Sequence, residues 1–412
     1  MSKKLAVLGC GVVGSGVVEL FEKNKDLIQK RSGMELEMAY ILDLRDFPDK
    51  PYANKIVKDL QVILNDPDVA VVAECMGGVE PAFTFVKSCL EAGKSVATSN
   101  KELVASKGDI LLQTAKEHHC NFFFEASVGG AIPIIRPLHK CLIANEFSAV
   151  AGILNGTTNF ILNKMITADM DFSSALKLAQ EKGYAEKDPT ADVDGHDACR
   201  KICILSSLAF GKHVYPESVP TKGIREVELK DTKFCGQLGY AIKLIARVQM
   251  LENGKILPTV MPMAVEEDNL LSQVNGVYNA VMVRGDGIGK AMFYGRGAGK
   301  FPTASAVLGD MIEEVQLSDT IPSQTWENVN STDFIEDFAK FTAKYYFRTS
   351  AADIAVLSEI FGTIEEKTIS TDEDELIFVT GNVLNRTELE IAMKFLAQKG
   401  IQVLAQYPVL TA

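Results

Sequence analysis

The sequence lacks any uninterrupted apolar run approaching the roughly 18 residues that a membrane-spanning helix requires, so no transmembrane segment is expected. It is short of positive charge: 42 Lys and Arg stand against 54 Asp and Glu, a net charge of −12. That balance argues against nucleic acid and against an anionic membrane surface as partners, since both favour a basic face. Histidine is scarce. The five histidines form no ligand pattern, His118 and His119 being adjacent and the rest isolated, and no catalytic metal is expected. The eight cysteines show no paired spacing and read as free, mostly buried thiols of a reducing cytoplasm. There is no internal repeat and no low-complexity tract. The opening MSKKLAVLGCG has two lysines before an apolar run, but glycines follow at once. It reads as a first strand and not as a signal peptide.

What is present is an ordinary globular composition, 47% hydrophobic and 23% charged over 412 residues, enough for two or three domains. Residues 4–20, KLAVLGCGVVGSGVVEL, read as strand, glycine turn and helix. Gly9, Gly11 and Gly14 fit the G-x-G-x-x-G spacing that lets a backbone approach a pyrophosphate at a helix N-terminus, with Val12 and Val13 inside the turn. A tight strand-to-helix turn is the plainer account of the same glycines. The second strand is expected near Met38–Leu44, and an acid at its end favours NAD whereas a base accommodates the 2′-phosphate of NADP. The segment LDLRDFPDK supplies both kinds, in Asp43, Arg45, Asp46 and Lys50. The reading leans to NADP through Arg45 and Lys50, although solvated loop charges account for them equally well. Further apolar strands end in Gly77-Gly78, in Ser99-Asn100-Lys101 and beside Glu125, at the strand ends where open α/β sheets bind ligands. Strands and helices alternate, the doubly wound pattern.

Beyond residue 130 the character changes. The turn Asn155-Gly156-Thr157-Thr158-Asn159 is either a helix cap or a set of donors for a small polar ligand. Gly183–Lys201, GYAEKDPTADVDGHDACRK, gathers Glu186, Asp188, Asp192, Asp194 and Asp197 before an apolar helix. Asp192 or Asp194 is expected to cap that helix. Asp197 and Lys201 stand four residues apart and share a face, which places Lys201 in the interior or in a site. Asn253-Gly254 signals a hairpin, within what reads as a mixed sheet with helices on one face. A second glycine cluster includes Gly297 and Gly299, and the helix after it is expected to return to the first domain. The tail reads strand (YYFRTS), helix (ADIAVLSEIF), strand (IEEKTIST), strand (ELIFVTG), helix and strand, a βαββαβ ferredoxin-like unit.

Six motifs in this order resemble homoserine dehydrogenase: GCGVVG, SNK at 99–101, EASVGGAIPII at 125–135, LNGTTNFIL at 154–162, the stretch 183–201, and GRGAGKFPTASAV at 295–307. The tail is similar to the ACT regulatory domain that many members carry. The resemblance implies reversible hydride transfer between NADP or NAD and C4 of the substrate, interconverting L-homoserine and L-aspartate 4-semialdehyde. Carried over by motif, Lys201 matches the proton donor and acceptor at the reacting oxygen, and Lys101 a second lysine beside nicotinamide and substrate. Glu186 matches the carboxylate that holds the substrate amino group, supported by Asp192 and Asp197, with Tyr184 and Thr157 in matching substrate segments. Gly77, Ser99, Asn100, Gly297 and Gly299 join the cofactor set. Glu125 and the carbonyls of Val128, Gly130 and Ile132 match a structural monovalent-cation site, usually sodium. A homodimer formed through the central domain is also implied.

The fold class that follows is α/β in three parts. An NAD(P)-binding Rossmann-type domain over 1–130 is completed by a returning segment about 301–320. A central α+β catalytic and dimerisation domain covers 131–300. A linker, 326–343, leads to an ACT-like domain over 344–412. The tail departs from the ACT pattern, since Ser350-Ala351-Ala352-Asp353-Ile354-Ala355 has no glycine or proline where the effector loop is expected. Two other readings compete. A semialdehyde-oxidising enzyme needs a thiolate with a partner base, and Cys199 and Cys203 sit on the apolar helix as packing residues. A nucleotide sensor without turnover does not require Lys101 and Lys201 together.

Overall fold

The computed structural model describes residues 3–317, 326–328, 331–350, 352–365, 369–370 and 375–410. The chain divides into two compact units, one of Met1–Val150, Arg200–Glu217 and Val281–Asn330, the other of Ala151–Cys199, Ser218–Ala280 and Ser331–Ala412.

The first unit opens with β1 (Lys3–Leu8), α1 (Val12–Ser32), β2 (Leu36–Leu42), β3 (Ile56–Val57), α2 (Leu60–Leu64), β4 (Val69–Glu74), α3 (Ala82–Glu91), β5 (Ser95–Thr98), α4 (Lys101–Glu117) and β6 (Phe122–Phe123). Its sheet has the order β3-β2-β1-β4-β5-β6, and every pairing is parallel. Leu5, Ala6, Val7 and Leu8 are wholly buried, as are Val71, Val72 and Ala73, because helices cover both faces of such a sheet. Strand order reverses between β1 and β4, which makes the carboxyl ends of these two strands the expected ligand crevice.

The chain continues through β7 (Phe147–Ile153), α5 (Gly156–Thr167), α6 (Phe172–Glu181), α7 (Thr190–Val193), α8 (His196–Phe210), α9 (Leu229–Gln237), β8 (Tyr240–Met250), β9 (Ile256–Glu266), β10 (Tyr278–Gly285), β11 (Gly289–Arg296) and α10 (Lys300–Leu317). In the first unit α10 lies on the parallel sheet: Ala304, Val307, Leu308, Met311 and Val315 join the core formed by Leu5, Val7, Val17, Phe21 and Val71. Its Glu314 fastens it further, accepting from Ser95 Oγ and Asn121 Nδ2, each at 2.6 Å. Residues 318–320 of the expected returning segment, 329–330 of the expected linker, and Ala351 lie outside the described residues.

One expectation about α8 is corrected. The residue that precedes α8 is Gly195, so neither Asp192 nor Asp194 stands at its N-cap position. Asp192 sits inside α7, and Asp194 ends α7 with its carboxylate held by Arg225, whose Nη2 lies 3.2 Å away. Gly195 turns the chain at φ 86°, and its carbonyl accepts the first helical bond of α8 from Cys199 N at 2.9 Å. The Asp194 carboxylate goes to Arg225, and that of Asp192 accepts from the Asn155 amide.

The second unit is built on antiparallel β8 and β9, joined by a turn in which Gly254 takes φ 77°. The tail adds β12 (Thr342–Ala343), β13 (Tyr345–Ser350), α11 (Ile354–Phe361), β14 (Ile369–Ser370), β15 (Glu375–Val379), β16 (Leu384–Asn385), α12 (Arg386–Gln398) and β17 (Val403–Leu410). Its principal strands run β17-β13-β15-β14, all antiparallel, which is ferredoxin-like topology. Of the strand expected over 364–371, Ile369 and Ser370 pair with β15, while 366–368 and 371 lie outside the described residues.

The tail is not a separate bead on a linker. Val409 and Leu410 of β17 pair in parallel with Ala264 and Val265 of β9, so tail and centre share one sheet. Arg348 of β13, buried, bonds Asp231 of α9 at 2.8 Å and Glu375 of β15 at 3.0 Å. Burial raises the Asp231 carboxyl above its usual range, opposed by that guanidinium. Among the described residues no helix is long and apolar enough to cross a membrane.

Candidate active site

The glycine turn after β1 is shaped by what its residues do not carry. Gly9 adopts φ 90°, and a Cβ on Gly14 would lie 1.9 Å from the Gly9 carbonyl, so strand and helix meet in closest contact there. A Cβ on Gly11 would meet nothing within 4 Å, leaving open space above the helix N-terminus. Beside it Val12 is 68% exposed, unusual for valine, at the mouth of the turn.

Gly9 and Gly11 line a cavity of about 780 Å³ together with Asp43, Leu44, Arg45, Lys58 and Met76. Asp43 organises this edge. Its carboxylate accepts from Cys10 N at 2.8 Å and takes the Arg45 Nε and Nη2 at 3.0 and 2.9 Å. The Arg45 guanidinium holds the Asp43 carboxyl well below the usual carboxylate range, against the opposing effect of burial. Lys50, expected as the second base, is not among the residues lining the cavity; Lys58 is. The Lys58 Nζ reaches the carbonyls of Asp43, Leu44 and Arg45 at 3.1, 3.2 and 2.8 Å and pairs with Asp46. Lys58 lies outside the β2 terminus that the sequence motif points to, and only the return of the chain through β3 brings it alongside.

The other strand ends are tied to one another. Glu74, wholly buried at the end of β4, accepts from Met76 N at 2.7 Å, Gly77 N at 3.3 Å and Thr98 Oγ1 at 2.5 Å. Burial raises its pKa, and these donors oppose the rise. Ser99 N reaches the Glu74 carbonyl at 3.3 Å. Asn100 caps α4 through Leu103 N at 3.0 Å and donates to the Gly78 carbonyl at 2.6 Å. Lys101 is therefore the first residue of a capped helix at the sheet's carboxyl edge. Lys201, on α8, is 6% exposed.

In the second unit Asn155 is the residue that sequence reasoning underrated. It caps α5 through Thr158 N at 2.8 Å, and its Nδ2 donates to Asp192 at 2.7 Å and to Asp197 at 2.9 Å. The cap reading of the NGTTN turn is realised by the amide oxygen, while the amide nitrogen is engaged by the two carboxylates. Asp197 is 5% exposed. Thr157 donates to the Tyr184 carbonyl at 2.7 Å, and the Tyr184 ring meets Phe160 edge-on at 5.0 Å. Glu186 is exposed, its backbone carbonyl held by Gln180 at 3.1 Å. The structure thereby groups Asp192 with Asp197, and Thr157 with Tyr184, and leaves the Glu186 side chain facing water.

The EASVGG turn is anchored by Glu125. Its carboxylate accepts from the backbone N–H groups of Ile134, Ile135 and Arg136 at 2.6, 2.9 and 2.8 Å. A Cβ on Gly129 would fall 2.4 Å from the Ile132 carbonyl oxygen, and one on Gly130 the same distance from that of Gly297. Carbonyl oxygens are therefore crowded into this turn, and Gly297 is brought to it from the second glycine cluster.

Known proteins resemble the chain throughout. The family models described as homoserine dehydrogenase and as its NAD binding domain match residues 133–312 and 9–125. A homoserine dehydrogenase of Synechocystis sp. is 40% identical over 371 residues, covering 86% of this chain and 84% of that protein. One of Corynebacterium glutamicum is 35% identical over 421 residues, covering 96% and 93%. The crystal structure of a homoserine dehydrogenase from Thiobacillus denitrificans superposes with a TM-score of 0.91 at 32% identity, covering 100% of this chain and 98% of that one. A hyperthermophilic archaeal homoserine dehydrogenase in complex with NADPH superposes at 0.65 with 28% identity, over 76% of this chain and 98% of its own.

Proposed function

The chain belongs to the homoserine dehydrogenase family, and from that membership we propose how its residues divide the work of the reaction. The enzyme is an NAD(P)-dependent oxidoreductase that interconverts L-homoserine and L-aspartate 4-semialdehyde in the aspartate family of amino-acid biosynthesis. The nicotinamide ring, when bound, gives or takes the hydride at C4 of the substrate.

As the aldehyde is reduced, negative charge builds on its oxygen. Lys201 and Lys101 stabilise that charge, and Lys201 delivers the proton; in the reverse direction Lys201 receives it from the hydroxyl. The observation that carries this reading is a buried lysine, Lys201, one helical turn after the buried Asp197 whose carboxylate Asn155 holds. Glu186 holds the substrate ammonium, with Asp192 and Asp197 behind it and Thr157 and Tyr184 shaping the pocket. The exposed position of Glu186 suits a group that meets its partner only when substrate arrives.

The open space over Gly11 and the cavity beside it fit a dinucleotide. Gly9, Gly11, Val12, Val13 and Gly14 form the turn that takes the pyrophosphate, and Gly77, Ser99, Asn100, Gly297 and Gly299 border the nicotinamide half. Arg45 and Lys58 on the cavity wall support a preference for NADP, as does the NADPH bound by the archaeal relative. The carbonyl-rich turn fits a hard monovalent cation such as sodium, held by the carbonyls of Val128, Gly130 and Ile132. Glu125 completes that set, and its carboxylate also shapes the turn by accepting from three backbone N–H donors. The enzyme works as a homodimer or higher oligomer in the cytoplasm, where its eight free cysteines stay reduced. The ACT-like tail serves assembly and not effector capture. At the position of the family's effector loop, which here lacks glycine and proline, Asp353 caps α11, accepting from Ala355 N at 2.9 Å.

Homoserine-dependent reduction of NADP by the unaltered protein and by Lys201→Ala tests the assignment. Loss of at least ~10³-fold in kcat with cofactor affinity retained supports it. Retained turnover in the variant removes Lys201 from the chemistry.

A further inference from the structure

Two residues that neither the motifs nor the family assignment single out lie next to the two lysines. Glu102 follows Lys101 in the first turn of α4, and Arg200 precedes Lys201 on α8. Their side chains are bonded, Arg200 Nη2 to Glu102 Oε1 at 3.0 Å, with the arginine 26% and the glutamate 41% exposed. Neighbouring Cα atoms are about 3.8 Å apart, so this ion pair ties together the backbone positions from which both lysines spring.

The rest of the seam between α4 and the chain around α8 is fixed independently. His213 Nε2 meets the Ala105 carbonyl of α4 at 3.0 Å, and its Nδ1 accepts from Trp326 Nε1 at 2.7 Å. The Trp326 ring lies against Gly108, where a Cβ would fall 2.9 Å from it. Tyr215 donates to the buried Asp109 at 2.9 Å. Those contacts are buried or part-buried, yet they involve later residues of α4 and the chain beyond α8. At the lysine end, the Glu102–Arg200 pair links the two helices.

We propose that Glu102 and Arg200 are positioning residues, a tether that sets the spacing of Lys101 and Lys201 at the reacting oxygen. This rests on the reading of the lysines given above. An ion pair this exposed contributes little to stability, so its role is one of geometry. Two cations must converge on one developing charge, and their side chains are long. A displacement of about 1 Å in such a constellation is enough to cost up to ~10²-fold in rate.

The test uses the full chain with homoserine and NADP. Glu102→Gln and Arg200→Gln should each lower kcat by about tenfold or more, with the KM for homoserine within about twofold and the thermal midpoint nearly unchanged. The exchanged pair E102R/R200E should regain most of the lost kcat, because it restores the link with the charges reversed. Single variants that keep wild-type kcat overturn the tether. So does a loss of kcat that the exchange leaves in place, since each residue then acts on its own. Lys101→Ala and Lys201→Ala run alongside: if they lose turnover while the tether variants keep it, the proposal fails and the lysine assignment stands. If the lysine variants keep turnover, the assignment itself falls and the proposal with it.

Discussion

Asn155 donates to the buried carboxylate of Asp197 across 2.9 Å while its carbonyl end caps α5. One side chain therefore starts a helix and holds two acids, since Asp192 shares the same nitrogen. Asn155→Asp separates the two duties. Aspartate caps as well as asparagine, but it offers no donor and brings a third carboxylate against two others. The expected result is a fall of at least tenfold in kcat/KM for homoserine with NADP affinity unchanged. Asn155→Ala should add a stability loss of about 1 kcal/mol from the missing cap. Steady-state kinetics with denaturant titration separates the two effects, and unchanged kinetics in the aspartate variant would show that the amide does not order the acids.

The glycine turn permits a similar dissection. Gly11→Ala adds a methyl group into open space, so the variant should fold with its thermal midpoint near that of the parent and lose dinucleotide affinity by tenfold or more. Gly14→Ala drives the same group to 1.9 Å from the Gly9 carbonyl, and a destabilisation of at least about 3 kcal/mol is expected, since backbone must move. Cofactor titration by fluorescence and thermal melts distinguish them. Equal behaviour of the two variants would contradict this reading of the turn.

Arg45 and Lys58 line the cavity beside Asp43. Removing both bases, R45A/K58A, should lower kcat/KM for NADP by roughly 10- to 100-fold, with a much smaller change for NAD. The ratio of the two constants is the measurement. A constant ratio would assign these bases to holding Asp43 and the nearby carbonyls.

Lys243 on β8 is 3% exposed, with its Nζ on the Val274 carbonyl at 2.6 Å and near the side-chain oxygens of Asn159 and Asn275, each at 3.3 Å. Burial brings its pKa down from 10.5 to about 8. Between those values the unfolded chain binds the extra proton, so folding stability rises with pH over that window and levels off outside it. From pH 8 to 9.5 the stability of the parent should rise by on the order of 1–2 kcal/mol relative to Lys243→Met. Denaturant titrations at several pH values give the difference, and parallel curves would mean that Lys243 stays charged in the fold.

Much of this was readable from the residues. The apolar runs within β1 and β4 and the glycines between strand and helix have one economical solution, a parallel sheet with a dinucleotide turn. The tail's alternation of strands and helices led to ferredoxin-like topology. What escaped was set by distant chain. Asn155 is recognisable as a cap, but nothing local says that its amide meets acids near 192–197. Lys58 reaches the cavity edge because β3 pairs with β2, whereas Lys50, closer in sequence to the motif, is not among its lining residues. The acids before α8 were expected to cap it, but the helix starts after Gly195, with Asp194 bonded to Arg225 and Asp192 to Asn155. Local propensity locates turns; it does not say which loop will lie beside which.

The parallel pairing of β17 with β9 couples the end of the tail to a strand laid down far earlier in the chain. A ferredoxin-like unit on a linker would melt by itself. Here its last strand is also part of the neighbouring sheet, and Arg348 locks its first strand to α9. Tail and centre are therefore expected to unfold in one cooperative transition, and to refold slowly, because the closing contact spans a long loop whose entropy must be lost before the pairing forms.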